Sequence, residues 1–212
     1  MPAGFIVGVF SIGSIISSLP PVSSHCINWW GRRSSIILGA ITFLVGSIFQ
    51  VYATSINMIL CGRLISGLSI GLLSAVVSLY QSELAPPAIR GCLTSVYQLM
   101  ITAGILLATM IDHTFVDMDD GWRYAVAIQM GPALIMVVCM PFFPRSPRWL
   151  VQQGRVHEAL EALKLVRDEI DAEVELLEIL ASHRRAQAVI SHFPSPCSPS
   201  FTYIYIYICM PV

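Results

Sequence analysis

The sequence predicts an all-α membrane protein from its hydrophobicity, its scarcity of charge and the spacing of its apolar runs. Of the 212 residues, 55% are hydrophobic and 12% are charged, whereas roughly 25% of the residues in a soluble globular domain are charged. No acidic residue precedes Glu83, and the charged residues in that stretch are Arg32, Arg33 and Arg63. A soluble surface needs many more interspersed charges, so the composition excludes a soluble fold.

Five apolar runs along the chain approach the length of a membrane-spanning helix. Such a helix needs roughly 20 predominantly apolar residues to cross the hydrocarbon core. The first run contains Pro20 and Pro21, which lack an amide donor and are expected to bend it. The sequence therefore predicts about five transmembrane helices. They cover Phe5–Ile27, Ser34–Thr54, Met58–Gln81, Cys92–Ile111 and Tyr124–Phe143.

Small residues at four-residue spacing predict close contacts between these helices. Gly67, Gly71 and Ala75 form such a stripe in the third run, and Gly4 and Gly8 repeat it in the first. Small side chains let helix backbones approach one another closely in a membrane. The pattern favours a tightly packed bundle and says little about function.

The charges in the loops predict the orientation of the chain. The arginines fall mainly on one side of the membrane, whereas the loop at 112–120 on the other side carries aspartates and no Lys or Arg. Cytoplasmic loops are enriched in Lys and Arg, so the arginine side is predicted to be cytosolic, and Arg123 is the exception. Met1 would then lie outside the cell, and we expect a further helix upstream. The cytosolic arginines are Arg32, Arg33, Arg90, Arg145, Arg148 and Arg155.

Arg63 is the only charged residue between Met58 and Ser82. A charged side chain at mid-bilayer costs roughly 2.5 to 3.5 kcal/mol, and such residues usually face a bundle interior or a water-filled cavity. This favours a functional role. The alternative is that Arg63 extends toward the headgroups, because Asn57 lies only about 9 Å away along a helix.

Gln98 and Thr102 are a candidate substrate site in the fourth predicted helix. They are four residues apart and share one helical face, which is predicted to line a polar cavity. The spacing leaves a second interpretation equally open, in which Gln98 forms a hydrogen bond between helices worth about 0.6 kcal/mol.

Several functional classes find no support in the sequence. The net charge of −1 provides no basic face for nucleic acid. The six cysteines show no Cys-x-x-Cys spacing, so neither a metal site nor a disulfide framework is indicated. No catalytic triad or phosphate-binding loop is recognisable. We therefore expect no cofactor, no metal and no enzymatic activity.

Beyond the fifth span, amphipathic helices are predicted outside the membrane. Ser146 is a suitable N-cap with Pro147 at the first helical position, and Gly154 is expected to end that helix. One longer amphipathic helix is predicted from Glu158 onward. Its apolar face consists of Leu160, Leu163, Val166, Ile170, Val174 and Leu177.

The last part of the chain is predicted to be a disordered or aberrant tail. It holds a Pro/Ser-rich segment and the charge-free alternation Tyr203–Ile208, which suggests translated non-coding DNA, with a short β-strand as the structural alternative. The predicted organisation is a transmembrane bundle over 1–143, cytosolic linker helices over 144–181 and the tail over 182–212.

Three short motifs lie at the predicted cytosolic corners. They are Gly31-Arg32-Arg33, the stretch from Glu83 through Pro86 to Arg90-Gly91, and Pro144-Arg145-Ser146-Pro147-Arg148. In this order and spacing they resemble the sugar porter family of the major facilitator superfamily, over about residues 4–180. The resemblance implies that the five spans correspond to helices two to six of that fold. The first helix and helices seven to twelve would then lie outside this sequence.

The resemblance implies a gate on the cytosolic side. In the family, charges at these corners form a network that joins the two halves and breaks as the transporter opens inward. The alternative is that the arginines only enforce orientation. The residues that match this network are Arg32, Arg33, Glu83, Arg90 and Arg148.

This chain departs from the family pattern at four positions. Asn28 and Trp29 stand where the family has Asp-Arg, Ser78 stands in place of Pro, and Arg145 stands in place of Glu. Two carboxylates of the expected network are therefore missing, and the corner is predicted to be strongly basic.

The resemblance also assigns roles within the membrane. Gln98 matches a fifth-helix glutamine that hydrogen-bonds sugar hydroxyls, and Arg63 matches an arginine that pairs with a first-helix aspartate in proton-coupled members. It implies a multi-pass sugar transporter, expected in the plasma membrane, that works by proton symport or facilitated diffusion and is inactive without its second half. The alternative is a non-transporting membrane protein: a sensor-like or dominant-negative partner, or a mis-spliced product.

Overall fold

The structure, a computed structural model, describes residues 3–86, 89–118, 120–165 and 169–192. Over these residues the chain forms helices joined by short turns, which confirms the predicted all-α fold. The helices are α1 (Ala3–Ser18), α2 (Pro20–Val51), α3 (Ile56–Leu84), α4 (Arg90–Phe115), α5 (Gly121–Ile128), α6 (Met130–Cys139), α7 (Pro147–Gln152), α8 (Val156–Lys164) and α9 (Glu169–His192), with a 3₁₀ turn at Met140–Phe142.

Four segments in the described part of the chain are long and apolar enough to cross a membrane, and one further apolar helix, Gly4–Ser18, is shorter. The first predicted span is divided, because α1 ends at Ser18 and α2 begins at Pro20. Leu19 between them has an extended ψ of 133°, as expected for a residue before proline. The predicted effect of the two prolines is therefore confirmed. The four spans are Cys26–Val51, Ile56–Leu84, Arg90–Phe115 and Gly121–Phe142.

A second break lies inside α2 at Gly31. Its φ of 79° and ψ of 161° are not helical, and this region of backbone space is essentially reserved for glycine. The break separates residues 20–30, which include the end of the first predicted span, from residues 32–51, which contain most of the second. A Cβ atom at Gly31 would also lie 3.1 Å from the ring of Trp149. Because glycine has no Cβ atom, the Trp149 ring can pack against the backbone at this position.

We expect Gly31→Ala to lower the free energy of unfolding by about 1 to 3 kcal/mol, because alanine would be strained in this conformation. Denaturant unfolding in detergent micelles measures the change. Gly131→Ala is the control: Gly131 lies in α6 with nothing within 4 Å of the position of a Cβ atom. Equal stabilities of the two variants would show that the break does not depend on glycine.

Helix α3 packs against both α1 and α2. Cβ atoms at Gly67 and Gly71 would lie less than 3.0 Å from the carbonyl oxygens of Phe10 and Ser14 in α1. The predicted contact through this glycine stripe is therefore confirmed. No described atom lies within 4 Å of a Cβ placed at Gly4 or Gly8, so the matching prediction for these two glycines stays a prediction.

A buried polar contact joins α2 and α3. Gln50 is 2% exposed, and its Nε2 donates to Ser66 Oγ at 2.7 Å. Ser66 Oγ in turn donates to the Gly62 carbonyl at 2.8 Å. The polar groups thus satisfy one another inside the bundle, as burial requires.

Helices α7, α8 and α9 form a separate small core. Ser146 caps α7 by accepting from the Trp149 amide, and Gly154 follows its end with a φ of 77°, so both predicted helix ends are confirmed. The buried members of this core are Leu150, Val151, Ala159, Ala162, Leu163, Ala172, Leu176 and Ile179.

The predicted apolar face of a single long helix is wrong in its second part. Val174 is 54% exposed and Leu177 is 66% exposed, whereas Leu176 lies in the core. The reason is that α8 ends at Lys164 and α9 begins at Glu169, so the helical phase does not continue across them. Val166 lies outside the described residues.

Helix α9 continues to His192, ten residues or so into the segment assigned to the tail. The backbone at 182–192 is thus helical. The remainder of the tail, with its Pro/Ser segment and Tyr203–Ile208, lies outside the described residues.

Candidate functional site

An ion pair between Arg32 and Glu83 lies at the arginine-rich end of the bundle, which we define by Arg32, Arg33 and Arg145. Arg32 directly follows the break at Gly31, and Glu83 lies in the last turn of α3. Arg32 Nη2 and Glu83 Oε1 are 3.0 Å apart, and the two side chains are only 1% and 2% exposed. Since buried charges require close pairing, each residue depends on the other.

Further hydrogen bonds extend this pair to α7. Ser146 Oγ donates to Glu83 Oε2 at 2.5 Å, and Arg32 Nη1 donates to Gln152 Oε1 at 3.4 Å. Both carboxylate oxygens of Glu83 are therefore bound. The same ion pair connects α2, α3 and the helix that follows the membrane bundle.

Two more contacts hold α7 and the turn before it against the bundle. The Tyr80 hydroxyl donates to the Pro144 carbonyl at 2.7 Å, and Trp149 Nε1 donates to the Asn28 carbonyl at 3.2 Å. Asn28 thus contributes its backbone carbonyl. Neither contact was predicted from the sequence; the available signal was Tyr80, a polar aromatic residue near the end of an apolar run.

The other predicted gate residues differ in their surroundings. Arg33 Nη2 donates to the Pro141 carbonyl. Arg90 and Arg148 form no ion pair within the described part of the chain, and Arg90 Nε is buried without a hydrogen-bond partner there. The structure therefore pairs Arg32 with Glu83, whereas Arg33, Arg90 and Arg148 form no ion pair within the described part of the chain.

Arg63 lies within α3 and is half-buried. Its Nε atom is buried and has no hydrogen-bond partner among the described residues. Arg63 forms no ion pair with a described acidic residue.

Gln98 and Thr102 lie on the exposed surface of α4. The Thr102 hydroxyl donates to the Gln98 backbone carbonyl at 2.7 Å, so its hydrogen is already bound within the helix. None of the residues of α4 is buried. Among the described residues, no three His, Cys, Asp or Glu side chains are grouped so that they could hold a metal ion.

The family model for "Sugar (and other) transporter" matches residues 1–210. The chain belongs to this family of sugar transporters. The match covers the transmembrane helices, the linker helices and most of the tail, and so extends beyond the expected residues 4–180.

Two relatives illustrate the similarity. The probable metabolite transport protein CsbC of Bacillus subtilis is 36% identical over 83% of this chain and 38% of its own length. The arabinose-proton symporter of Escherichia coli is 35% identical over 87% of this chain and 45% of its own length. The chain thus spans less than half the length of these relatives.

The fold is also that of a solved transporter. The proton:xylose symporter XylE of Escherichia coli, a major facilitator superfamily protein, superimposes with a TM-score of 0.81 at 30% identity. The superposition covers 87% of this chain and 44% of XylE. The sugar transporter family and the major facilitator fold are therefore confirmed, and the chain is a multi-pass membrane protein.

Proposed function

We propose that this chain supplies helices of one half of a plasma-membrane sugar transporter that operates by alternating access. The observation that carries the proposal is the exposed face of α4, where Gln98 and Thr102 present polar groups at membrane depth. Polar side chains at that depth mark substrate pathways more often than lipid contacts. A second half, in a longer form of the chain or in another polypeptide, would complete the site.

The Gln98 amide suits a sugar ligand. A glutamine side chain carries two donor hydrogens and one acceptor oxygen, so it can pair with both the hydrogens and the oxygens of sugar hydroxyls. Substrate sites in such transporters lie near the midplane, between two repeats that move relative to each other. Gln98 and Thr102 are four residues apart on one face of α4, which supports a common site for the sugar.

Arg63 is proposed to be the fixed positive charge of the proton-coupling mechanism. Its Nε atom is buried and has no hydrogen-bond partner among the described residues. This supports pairing of Arg63 with a carboxylate that lies outside them. A carboxylate that gains and loses a proton beside Arg63 would couple proton movement to the sugar; without it, the carrier would act by facilitated diffusion.

The Arg32–Glu83 pair is proposed to be the centre of the cytoplasmic gate. Its contacts with Ser146 and Gln152 link the membrane helices to the linker helices over 144–181, which would cover the inner opening. Arg33, Arg90 and Arg148 would add the positive charges that meet the second half.

Uptake measurements test the proposal. In cells that lack their own hexose carriers, residues 1–212 alone are expected to restore neither growth nor uptake of labelled sugar. Joined to a first helix and a second half from a family member, they are expected to do so.

The two outcomes that contradict this account are distinct. Saturable uptake by residues 1–212 alone would require an oligomer that builds its site from several copies. A well-folded joined protein without uptake would favour the alternative of a non-transporting membrane protein.

A further inference from the structure

An open cleft lies at the arginine-rich end of the bundle. It is formed where the break in α2 meets the turn before α7. The residues that surround it include Trp30, Gly31, Arg33, Ser34, Arg145 and Trp149.

The cleft carries positive charge that no carboxylate among the described residues balances. Arg32 also borders it, but its charge is neutralised by Glu83. Arg33 and Arg145 form no ion pair within the described part of the chain.

Both guanidinium groups are held in place. Arg33 Nη2 donates to the Pro141 carbonyl, and Arg145 Cζ lies 6.0 Å from the centre of the Trp149 ring, within the range of a cation–π contact. Each group keeps N–H donors for a ligand, because a guanidinium has five. Arginine suits phosphate oxygens as a ligand, because its planar guanidinium can donate two parallel N–H bonds.

Exposed aromatic side chains surround the same region. Trp30 is 50% exposed, Phe142 is 85% exposed and Phe143 is 50% exposed. Aromatic residues at the ends of transmembrane helices lie at the level of the lipid headgroups. The cleft therefore opens where phospholipid phosphates are present.

We propose that this cleft binds the phosphate group of an anionic phospholipid through Arg33 and Arg145. Basic pockets between membrane helices on the cytoplasmic side recognise such headgroups. The lipid would join α2 to the turn before α7, beside the ion pair that already connects them. The proposal concerns a lipid site and does not depend on sugar transport.

Native mass spectrometry tests the proposal directly. The whole chain, purified in detergent micelles, is supplied with equal amounts of phosphatidylglycerol and phosphatidylcholine that carry the same acyl chains. We expect a preference for phosphatidylglycerol that Arg145→Gln reduces about fivefold. Arg145→Lys should retain most of the preference, and Arg145→Glu should abolish it.

Arg155→Gln is the matched control, because Arg155 is an exposed arginine that pairs with Glu158 away from the cleft. It should bind lipid as the unchanged chain does. Equal loss in both variants, or no loss in Arg145→Gln, would overturn the proposal. So would displacement of the lipid by inorganic phosphate with the same dependence on Arg145, since a soluble anion would then be the ligand.

Discussion

Glu83→Gln is expected to lower the free energy of unfolding by about 3 to 5 kcal/mol, because it leaves a buried arginine without its counter-charge. Arg32 has a side chain that is 1% exposed and 3.0 Å from the carboxylate, so water cannot replace the lost partner. The substitution also replaces the acceptor of the Ser146 hydroxyl. Denaturant unfolding in micelles, followed by circular dichroism, measures the loss.

Two further variants test the cause of this loss. Glu178→Gln removes an exposed carboxylate from α9 and is expected to change stability by less than about 0.5 kcal/mol. Adding Arg32→Met to Glu83→Gln should recover part of the loss, because the uncompensated charge is then gone. A Glu83→Gln chain as stable as the control would show that the pair contributes nothing to the fold.

Gly71→Ala is expected to destabilise the bundle by about 1 to 3 kcal/mol or more, because an added methyl group has no room between α1 and α3. The new carbon would lie less than 3.0 Å from the Ser14 carbonyl oxygen and from Ser17 Oγ. A backbone oxygen cannot rotate away as a flexible side chain can. The helices must therefore separate, which the same unfolding measurement detects.

Gly8→Ala is the matched control for this substitution. Gly8 lies in α1, with no described atom within 4 Å of a Cβ placed there. Alanine in a helix restricts the unfolded chain, so a gain of about 0.4 to 1 kcal/mol is expected. If Gly71→Ala behaves like Gly8→Ala, the close contact between α1 and α3 does not exist in the protein.

The fold could be predicted from the sequence because hydrophobic runs, prolines and glycines each affect the structure at their own position in the chain. Pro20 marks the division between α1 and α2, and Gly71 marks a contact with α1. The contact between Gln50 and Ser66 was missed because each is an isolated polar residue in an apolar run. Only knowledge of which helices are neighbours brings them together.

Some contacts of the candidate site could be predicted from the sequence and others could not. The corner motifs placed Arg32 and Glu83 in one network, and the structure places them 3.0 Å apart; whether that contact opens during transport stays a prediction. The role of Ser146 as a donor to Glu83 was not predictable, since the same hydroxyl was already assigned to capping α7. Its capping partner is local, whereas Glu83 is 63 residues away in the chain.

The central claim is that Gln98 on α4 faces a sugar site, and the sugar affinity of the joined transporter tests it most directly. Gln98→Ala is expected to weaken binding by about 1 to 3 kcal/mol, because sugar hydroxyls lose a buried partner. Leu107→Ala is the control: it lies nine residues further along α4, on the opposite face at 3.6 residues per turn. The account predicts weaker equilibrium binding of labelled sugar in Gln98→Ala and unchanged binding in Leu107→Ala. Unchanged binding in Gln98→Ala would contradict it.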